Sequence, residues 1–236
     1  MTGYAAVVLA GGAARRMGGV DKPARPVGGR PMLHRVLAAV ADADQRIVVG
    51  PSGPVPDGVR TTREEPPGGG PVAAIAAGLA LLDPGTTTVA LLAADLPLLT
   101  AAAVTELRRA LDVPTRAMSP APAAEREHAP AAGREHDPAA EWESASAPGG
   151  LTVALACYVD GDGRRQQLCA VWRLPALRAA LDRLAATRGG TVDGAPVRGL
   201  LTGVAVREVS WSGSGPPPWF DCDTDEDVRR AEEWSR

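Results

Sequence analysis

The sequence predicts an α/β protein with a mostly parallel sheet, and three observations support this. Short apolar segments without alternation, the first at residues 4–9, are typical of strands buried on both faces. Segments with helical spacing alternate with them along the chain, which implies right-handed βαβ units. Glycine-rich turns stand between strand and helix. With 236 residues, 45% of them hydrophobic, we expect one domain over residues 1–236.

The elements follow in chain order. Strands are predicted at 4–9, 46–49, 88–93, 151–158, 167–172 and 205–209, and helices at 31–40, 72–82, 101–111, 174–187 and 224–234. Pro31 suits a first helical turn, and Thr100 suits a helix N-cap. Thr224 followed by Asp227 resembles a capping box with Asp in place of Glu. The turn at 160–163 predicts that the two strands around it pair as a β-hairpin extension of the sheet.

Residues 115–150 interrupt this pattern. They contain no Val, Ile, Leu or Phe, and the segment 126–132 is nearly repeated at 134–140. Such a composition cannot bury enough apolar surface to offset the entropy lost on ordering, so we expect a disordered surface insertion. The alternative is a metal-binding tract, because two of the three histidines, His128 and His136, lie there beside glutamates.

The composition excludes several classes of protein. A net charge of −3 with mixed signs argues against a nucleic-acid binder. Three widely spaced cysteines allow no disulfide framework and fit a reducing cytoplasm. The apolar stretch at 4–10 is too short to span a membrane and lacks a basic flank, so we expect a cytoplasmic protein without a membrane anchor.

The loop after the first strand is the most informative segment. Its small residues at 10–14 let the backbone approach a ligand and present N–H groups to anionic oxygens. Arg16 and Lys22 add cations suited to a triphosphate. Neither a P-loop nor a GxGxxG fingerprint fits this spacing. The alternative is a glycine-rich turn with basic residues at the surface.

Three further segments face the same edge of the predicted sheet. Asp95 follows the strand at 88–93, where a carboxylate suits Mg²⁺, or it is simply an acid at a helix start. Residues 68–74 lead into a helix N-terminus, which binds anions readily, or form a flexible turn. Asp223 precedes the last helix, either as a second metal ligand or as a favourable charge there.

These segments together resemble the family of molybdenum cofactor guanylyltransferases. The family's Leu-Ala-Gly-Gly, Arg-Met-Gly and Asp-Lys stand here at 9–12, 16–18 and 21–22. Its Gly-Pro-Leu-Ala-Gly corresponds to 70–74, its Asp-x-Pro to 95–97, its Arg-Gln-Pro-Leu to 165–168 and its Asn-Thr-Pro-Glu-Asp to 223–227. The resemblance covers most of the chain outside the insertion.

The resemblance implies a Rossmann-like three-layer nucleotidyltransferase fold that uses Mg²⁺ to transfer GMP from GTP to the phosphate of the molybdopterin cofactor. It also implies partner proteins that carry or accept that cofactor. Catalysis is assigned to Lys22, Arg16 and Asp95, and the metal to Asp95 and Asp223. The implied nucleotide contacts are Leu9, Ala10, Gly11, Gly12, Lys22, Glu65, Gly70 and Pro71.

Some positions depart from the family. Gly50 stands where an Asn contacting the nucleoside is common, and Glu64 or Glu65 stands in for a base-reading Asp. Asp223 replaces an Asn. A cytidylyl- or sugar-phosphate nucleotidyltransferase is therefore an alternative, and a non-catalytic nucleotide-binding regulatory protein is another. Gly11 favours GTP over CTP, because related cytidylyltransferases carry Ala there.

Overall fold

The computed structural model describes residues 3–11, 22–50, 53–113 and 152–235. Met1–Val113 and Val153–Arg236 belong to one compact unit. Gly12, Arg16 and the predicted insertion at 115–150 lie outside the described residues, so what we expect of them stays a prediction.

The elements largely follow the predicted order. The strands are β1 (Ala5–Leu9), β2 (Pro26–Val27), β3 (Arg30–Pro31), β4 (Gln45–Val49), β5 (Val59–Thr62), β6 (Thr88–Ala93), β7 (Leu155–Val159), β8 (Arg165–Arg173) and β9 (Val206–Ser210). The helices are α1 (Met32–Ala39), α2 (Gly70–Ala80), α3 (Ala101–Asp112), α4 (Leu174–Ala186) and α5 (Asp225–Trp234), and short 3-10 turns cover Lys22–Ala24 and Val197–Leu201.

Seven strands form one mixed sheet in the order β5-β4-β1-β6-β8-β7-β9. β1 pairs in parallel with both β4 and β6, β4 pairs in parallel with β5, and β7 with β9. Only β8 runs antiparallel to its neighbours. The predicted α/β fold with a mostly parallel sheet is therefore confirmed.

The predicted hairpin is also confirmed, but it is an internal part of the sheet. β8 pairs with β7 on one side and with β6 on the other, so the hairpin joins the parallel half of the sheet to β9. The N-terminal end of β8 extends beyond β6, because Cys169 pairs with Leu92 near the end of β6 and the residues of β8 before Cys169 have no partner in β6. The side chains of residues 166–168 consequently lie near the carboxyl end of β6, where Asp95 follows.

Strand residues point alternately to two cores, one on each face of the sheet. Ala6 and Val8 of β1 join the core beneath α1 and α3, whereas Val7 and Leu9 join the core beneath α2 and α4. Helices therefore cover both faces, giving three layers. Close packing explains Gly78 in α2, where a Cβ would come within 2.6 Å of Val7 Cγ1.

The final helix is attached by its own small core and by its cap. Val228 and Ala231 of α5 pack with Met32 and Leu98 in a third apolar cluster. Thr224 accepts a hydrogen bond from the Asp227 amide, and Asp227 accepts one from the Thr224 amide, so the predicted capping box is confirmed. None of the helices described here is long and apolar enough to cross a membrane.

Sequence patterns missed β5 and the small β2–β3 hairpin. β5 reads Val-Arg-Thr-Thr and stands at the edge of the sheet, where one side faces solvent and polar residues are tolerated. It therefore lacks the apolar run by which buried strands are found. The strand predicted from residue 151 begins at Leu155. Just before it, the Ala154 amide donates to Ala205 O at 2.9 Å, so the chain reaches the end of the sheet at this point.

Candidate active site

The carboxyl ends of β1, β4 and β6 lie side by side at one edge of the sheet. The Ala10 amide donates to Val49 O at 2.8 Å, and the Ala94 amide donates to Leu9 O at 3.0 Å. Leu9 and Ala10 are buried, whereas Gly11 is exposed. The predicted nucleotide loop thus leaves the sheet at the carboxyl edge, where open α/β sheets bind ligands.

Gly50 closes one side of this loop. Its φ is +121°, in the region that favours glycine, and a Cβ at this position would lie 2.6 Å from the amide nitrogen of Gly11. The end of β4 therefore approaches the loop backbone too closely for any side chain. This explains physically why this chain has no Asn at that position.

Lys22 lies between two carboxylates that are far apart in the sequence. Its Nζ is 2.5 Å from Asp95 Oδ2, after β6, and 2.6 Å from Asp223 Oδ1, before α5. The side chains of Lys22 and Asp95 are about four-fifths buried (21% and 22% exposed), and that of Asp223 is 54% exposed. The structure thus brings together three of the four residues for which the sequence predicts charge chemistry, and the fourth, Arg16, lies outside the described residues.

The backbone holds this arrangement in place. The Cys222 amide donates to the carbonyl of Asp95 at 3.2 Å, which ties the segment before α5 to the end of β6. Asp225, at the start of α5, forms an ion pair with Arg25, three residues beyond Lys22. One contact therefore ties the segment before α5 to the end of β6, and the other ties the start of α5 to the turn that contains Lys22.

Lys22 is the only lysine among the chain's 25 basic residues. Burial alone would lower its pKa, but the hydrogen bonds with Asp223 and Asp95 outweigh burial and raise the pKa above its usual value. The side chain is therefore a firmly charged ammonium at neutral pH. An ammonium is a compact point charge, and a planar guanidinium does not replace it between two carboxylates.

A third carboxylate adds to the negative charge. Desolvation, together with the charges of Asp223 and Asp95, raises the pKa of Asp221 above its usual range. Among the described residues, three carboxylates thus share one ammonium. Such a group favours a further cation over an anion, so a triphosphate needs accompanying positive charge to bind here.

The donor set fits a magnesium ion. Asp95 and Asp223 place oxygens on the same cationic atom, so the two carboxylates already converge on one point. Within the described ranges, His, Cys, Asp and Glu side chains form no metal-binding group of three or more. Magnesium at nucleotide sites takes one or two carboxylates and completes its shell with phosphate oxygens and water.

The loop from β5 to α2 reaches the same edge, because β5 is parallel to β4 and β1. Gly70 and Pro71 are the first two residues of α2, and Pro71 is exposed. Glu65 is exposed as well. Glu64 instead turns into the loop, where one carboxylate oxygen accepts a hydrogen bond from the Gly68 amide at 3.1 Å and the other is buried.

A cavity of about 220 Å³ opens beside Asp95. Its polar lining is Asp95, Asp221 and Gln166, and its apolar lining is Ala93, Leu96, Leu168, Cys169 and Trp219. The sequence patterns assigned no role to Asp221 or Trp219. Trp219 could have been singled out as one of few aromatic residues, standing four positions before Asp223.

A family model described as a MobA-like NTP transferase domain matches residues 6–193. The chain belongs to this family. The matched region begins within β1 and includes the end of β6 and the β7–β8 hairpin.

Individual relatives match this chain over shorter stretches than the family model does. A molybdenum cofactor guanylyltransferase from Bradyrhizobium sp. is 39% identical over 83 residues, which cover 33% of this chain and 39% of the relative. A probable molybdenum cofactor guanylyltransferase from Haloferax mediterranei is 52% identical over 48 residues, covering 20% of this chain and 23% of the relative. The chain therefore aligns with about a quarter to two fifths of the length of these relatives.

Solved structures share the fold over nearly the whole length. Molybdopterin-guanine dinucleotide biosynthesis protein A from Archaeoglobus fulgidus has a TM-score of 0.61 and 16% identity, with 97% of each chain covered. The 2-C-methyl-D-erythritol 4-phosphate cytidylyltransferase from Thermus thermophilus has a TM-score of 0.61 and 17% identity, with 98% of each chain covered. The predicted nucleotidyltransferase fold is thereby confirmed for this MobA-like domain.

Proposed function

We propose that this chain uses Mg²⁺ to transfer GMP from GTP to the terminal phosphate of molybdopterin and releases pyrophosphate. The observation that carries the proposal is the single lysine held between Asp95 and Asp223 at the carboxyl edge of the sheet. Membership of the MobA-like NTP transferase family supports nucleotidyl transfer. The names of the partly aligned relatives support GTP and molybdopterin as substrates.

The reaction requires little proton chemistry. An oxygen of the acceptor phosphate forms a bond to the α-phosphorus of GTP, and the bond from that phosphorus to the oxygen bridging the β-phosphate breaks. Pyrophosphate leaves with that oxygen. Because the attacking phosphate is already an anion, no general base is needed, and catalysis depends on positioning and on neutralising charge.

Each charged residue then has a distinct role. Asp95 and Asp223 would hold a magnesium ion, which would supply positive charge against the phosphates. The Lys22 ammonium, at that time in contact with phosphate oxygens instead of both carboxylates, stabilises the charge that develops during transfer. Arg16 is proposed as a further phosphate contact in the loop after β1.

The nucleoside lies on the backbone side of the site. Leu9, Ala10 and Gly11, with Gly12 beyond them, face the ribose and base, and Gly70 and Pro71 cover the base from the start of α2. Glu64 has stronger support than Glu65 as the acceptor for guanine, because its carboxylate already turns into this loop. A carboxylate accepts guanine N1–H and the N2 amino group together, whereas cytosine offers no such pair.

Nucleotide choice is tested by titrating GTP and CTP in the presence of Mg²⁺ and by measuring pyrophosphate release with molybdopterin as acceptor. We expect GTP to bind about five- to a hundredfold more tightly, since an unpaired buried carboxylate costs about 1–3 kcal/mol. Equal affinity, or a preference for CTP, contradicts the guanylyl assignment and leaves nucleotidyl transfer.

Because Lys22 is the only lysine of the chain, its side chain can be observed by itself. Protein grown with lysine labelled by ¹³C at Cε has one labelled residue, so its NMR spectrum reports Lys22 alone. We expect the resonance to shift on addition of Mg²⁺ and to shift again on addition of GTP. A resonance that responds to neither addition removes Lys22 from the proposed site.

We also propose a cytoplasmic location. The three cysteines are buried and free, as expected for a protein kept in a reducing compartment. Carrier or acceptor proteins for the cofactor stay predictions from the family.

A further inference from the structure

The cavity beside Asp95 has one wall formed by a fixed aromatic ring. Trp219 stacks on Tyr158 with ring centroids 5.0 Å apart and planes tilted by 34°. The Tyr158 hydroxyl is itself held 2.7 Å from Glu106 Oε2 and 3.0 Å from Ala103 O. Because Tyr158 is anchored by both contacts, Trp219 presents its ring to the cavity from a rigid support.

The other walls combine apolar side chains with the carboxylates of Asp95 and Asp221 and the amide of Gln166. Leu168 and Cys169 of β8 line the cavity, and burial raises the pKa of the Cys169 thiol to about 12, so it is uncharged at neutral pH. Gln166 directs its amide nitrogen at Asp160 Oδ2, 3.1 Å away. Its Oε1 is therefore the atom that can accept a hydrogen bond from a ligand.

The size of the cavity limits what it can hold. About 220 Å³ is smaller than the roughly 300–1,000 Å³ typical of pockets for drug-sized ligands. A small flat ring system fits, and a second complete nucleotide does not. A polyol chain would need a hydrogen-bond partner for each hydroxyl, whereas five of the eight residues that line the cavity are apolar.

We infer that this cavity is the acceptor subsite, in which a fused heteroaromatic ring stacks on Trp219 and donates N–H hydrogen bonds to Gln166 Oε1. This inference rests on the proposed function and identifies the residues that select its acceptor. A 2-amino-4-oxo pterin has the required flat ring and two adjacent N–H donors. Asp95 lines the same cavity, so the phosphate of such an acceptor lies close to the proposed metal.

Trp211 is a matched control for Trp219. Its ring also packs on Tyr158, edge-on at 5.8 Å, but it does not line the cavity. Replacing either tryptophan by alanine removes one aromatic contact with Tyr158, and only the Trp219 change removes the cavity wall. A structural role for Trp219 therefore predicts similar effects of the two substitutions, whereas a recognition role predicts different ones.

The experiment measures steady-state kinetics with molybdopterin and GTP for Trp219→Ala, Trp219→Phe and Trp211→Ala. We expect Trp219→Ala to raise the acceptor KM by about tenfold, as for loss of one ring-stacking contact. The KM for GTP and the value of kcat should stay within about twofold, and Trp219→Phe should recover most of the loss. An unchanged acceptor KM in Trp219→Ala, or an equal rise in Trp211→Ala, overturns the inference.

Binding of a free pterin separates this inference from the proposed function. We would titrate 6-hydroxymethylpterin into the whole protein without GTP and follow tryptophan fluorescence. Quenching in the wild type and in Trp211→Ala, together with weaker binding in Trp219→Ala and Gln166→Leu, supports the subsite even if no pyrophosphate is released from GTP. If pyrophosphate is released but these substitutions leave pterin affinity unchanged, the proposed function stands and the subsite is wrong.

Discussion

The two halves of the sheet edge present different chemical groups. On the β1–β4 side backbone groups approach closely, since the loop at Gly11 passes Gly50 with no room for a side chain at Gly50. On the β6–β8 side it is built from side chains, among them Asp95, Gln166 and Trp219. Backbone amides suit phosphates and ribose, which are common to all nucleotides, whereas side chains can be varied to suit one acceptor. The comparison assigns general nucleotide binding to one half and selectivity for the acceptor to the other.

The largest expected effect is a loss of turnover when charged side chains of the site are replaced. Lys22→Ala and Asp95→Ala should each reduce kcat by at least about a hundredfold, because each removes a group that stabilises charge. Lys22→Arg should lose most of the activity too, since a guanidinium does not fit as a point charge. Neither side chain belongs to the apolar cores, so thermal unfolding should change far less than turnover.

Asp83→Ala is the control for these changes. Asp83 is an exposed acid paired with Arg60, and it precedes β6, at the opposite edge of the sheet from Asp95. Its loss should leave turnover within about twofold and cost at most about 0.5 kcal/mol of stability. Near-normal turnover in Lys22→Ala or Asp95→Ala would remove that residue from the chemistry.

The next prediction concerns the close approach of Gly50 to the loop after β1. Gly50→Ala places a Cβ 2.6 Å from the Gly11 amide nitrogen at a φ of +121°, so the loop must shift. We expect a loss of about 1–3 kcal/mol in unfolding free energy and weaker binding of GTP and CTP alike. Gly53→Ala is the control, because nothing lies within 4 Å of its added Cβ. Equal stability of the two variants would show that the close approach is unimportant.

The capping box of α5 gives a smaller effect that depends on pH. A hydrogen bond from the Thr224 side chain, with backbone hydrogen bonds from Thr224 and Asp223, lowers the pKa of Asp227. A lowered carboxyl pKa stabilises the fold above the usual value of about 4, and this contribution is lost as the pH falls through the lowered pKa. Thr224→Ala should cost about 1 kcal/mol at pH 7, by urea unfolding.

Asp227→Ala tests the sign of this dependence. Its deficit against the wild type should be present at pH 7 and should shrink as the pH falls below about 4, where the carboxyl of the unfolded chain becomes protonated, and on through the lowered pKa of the folded protein. A deficit that is independent of pH between 7 and 3 would mean that the Asp227 charge has no part in the cap.

The smallest effect is expected from replacing residues 115–150. Their composition predicts that replacement by a short Gly/Ser linker changes stability by no more than about 0.5 kcal/mol and leaves turnover unchanged. A thermal scan and a pyrophosphate assay measure both. A loss of several kcal/mol, or of activity, would show that the segment packs or acts.

The sequence could predict whatever depends on local pattern. The apolar strands, the cap at Thr100 and the box at Thr224 were visible because each is a short-range pattern, and the structure confirms them. The meeting of Lys22, Asp95 and Asp223 followed only from the rule that parallel strands share one edge. Periodicity could not reveal that β8 inserts beside β6, since strand order is set by long-range pairing. The place of Trp219 beside Asp95 likewise depends on long-range contacts, so no local pattern predicted it.

The most direct test of the account follows the phosphorus atoms of GTP. GTP labelled with ³²P at the α-position and GTP labelled at the γ-position are each incubated with the protein, Mg²⁺ and molybdopterin, and the products are separated. Transfer of GMP predicts that the α-label appears in the acceptor product and the γ-label in pyrophosphate. Label from the γ-position on the acceptor, or released as inorganic phosphate while the α-label stays in GDP, would contradict nucleotidyl transfer at this site.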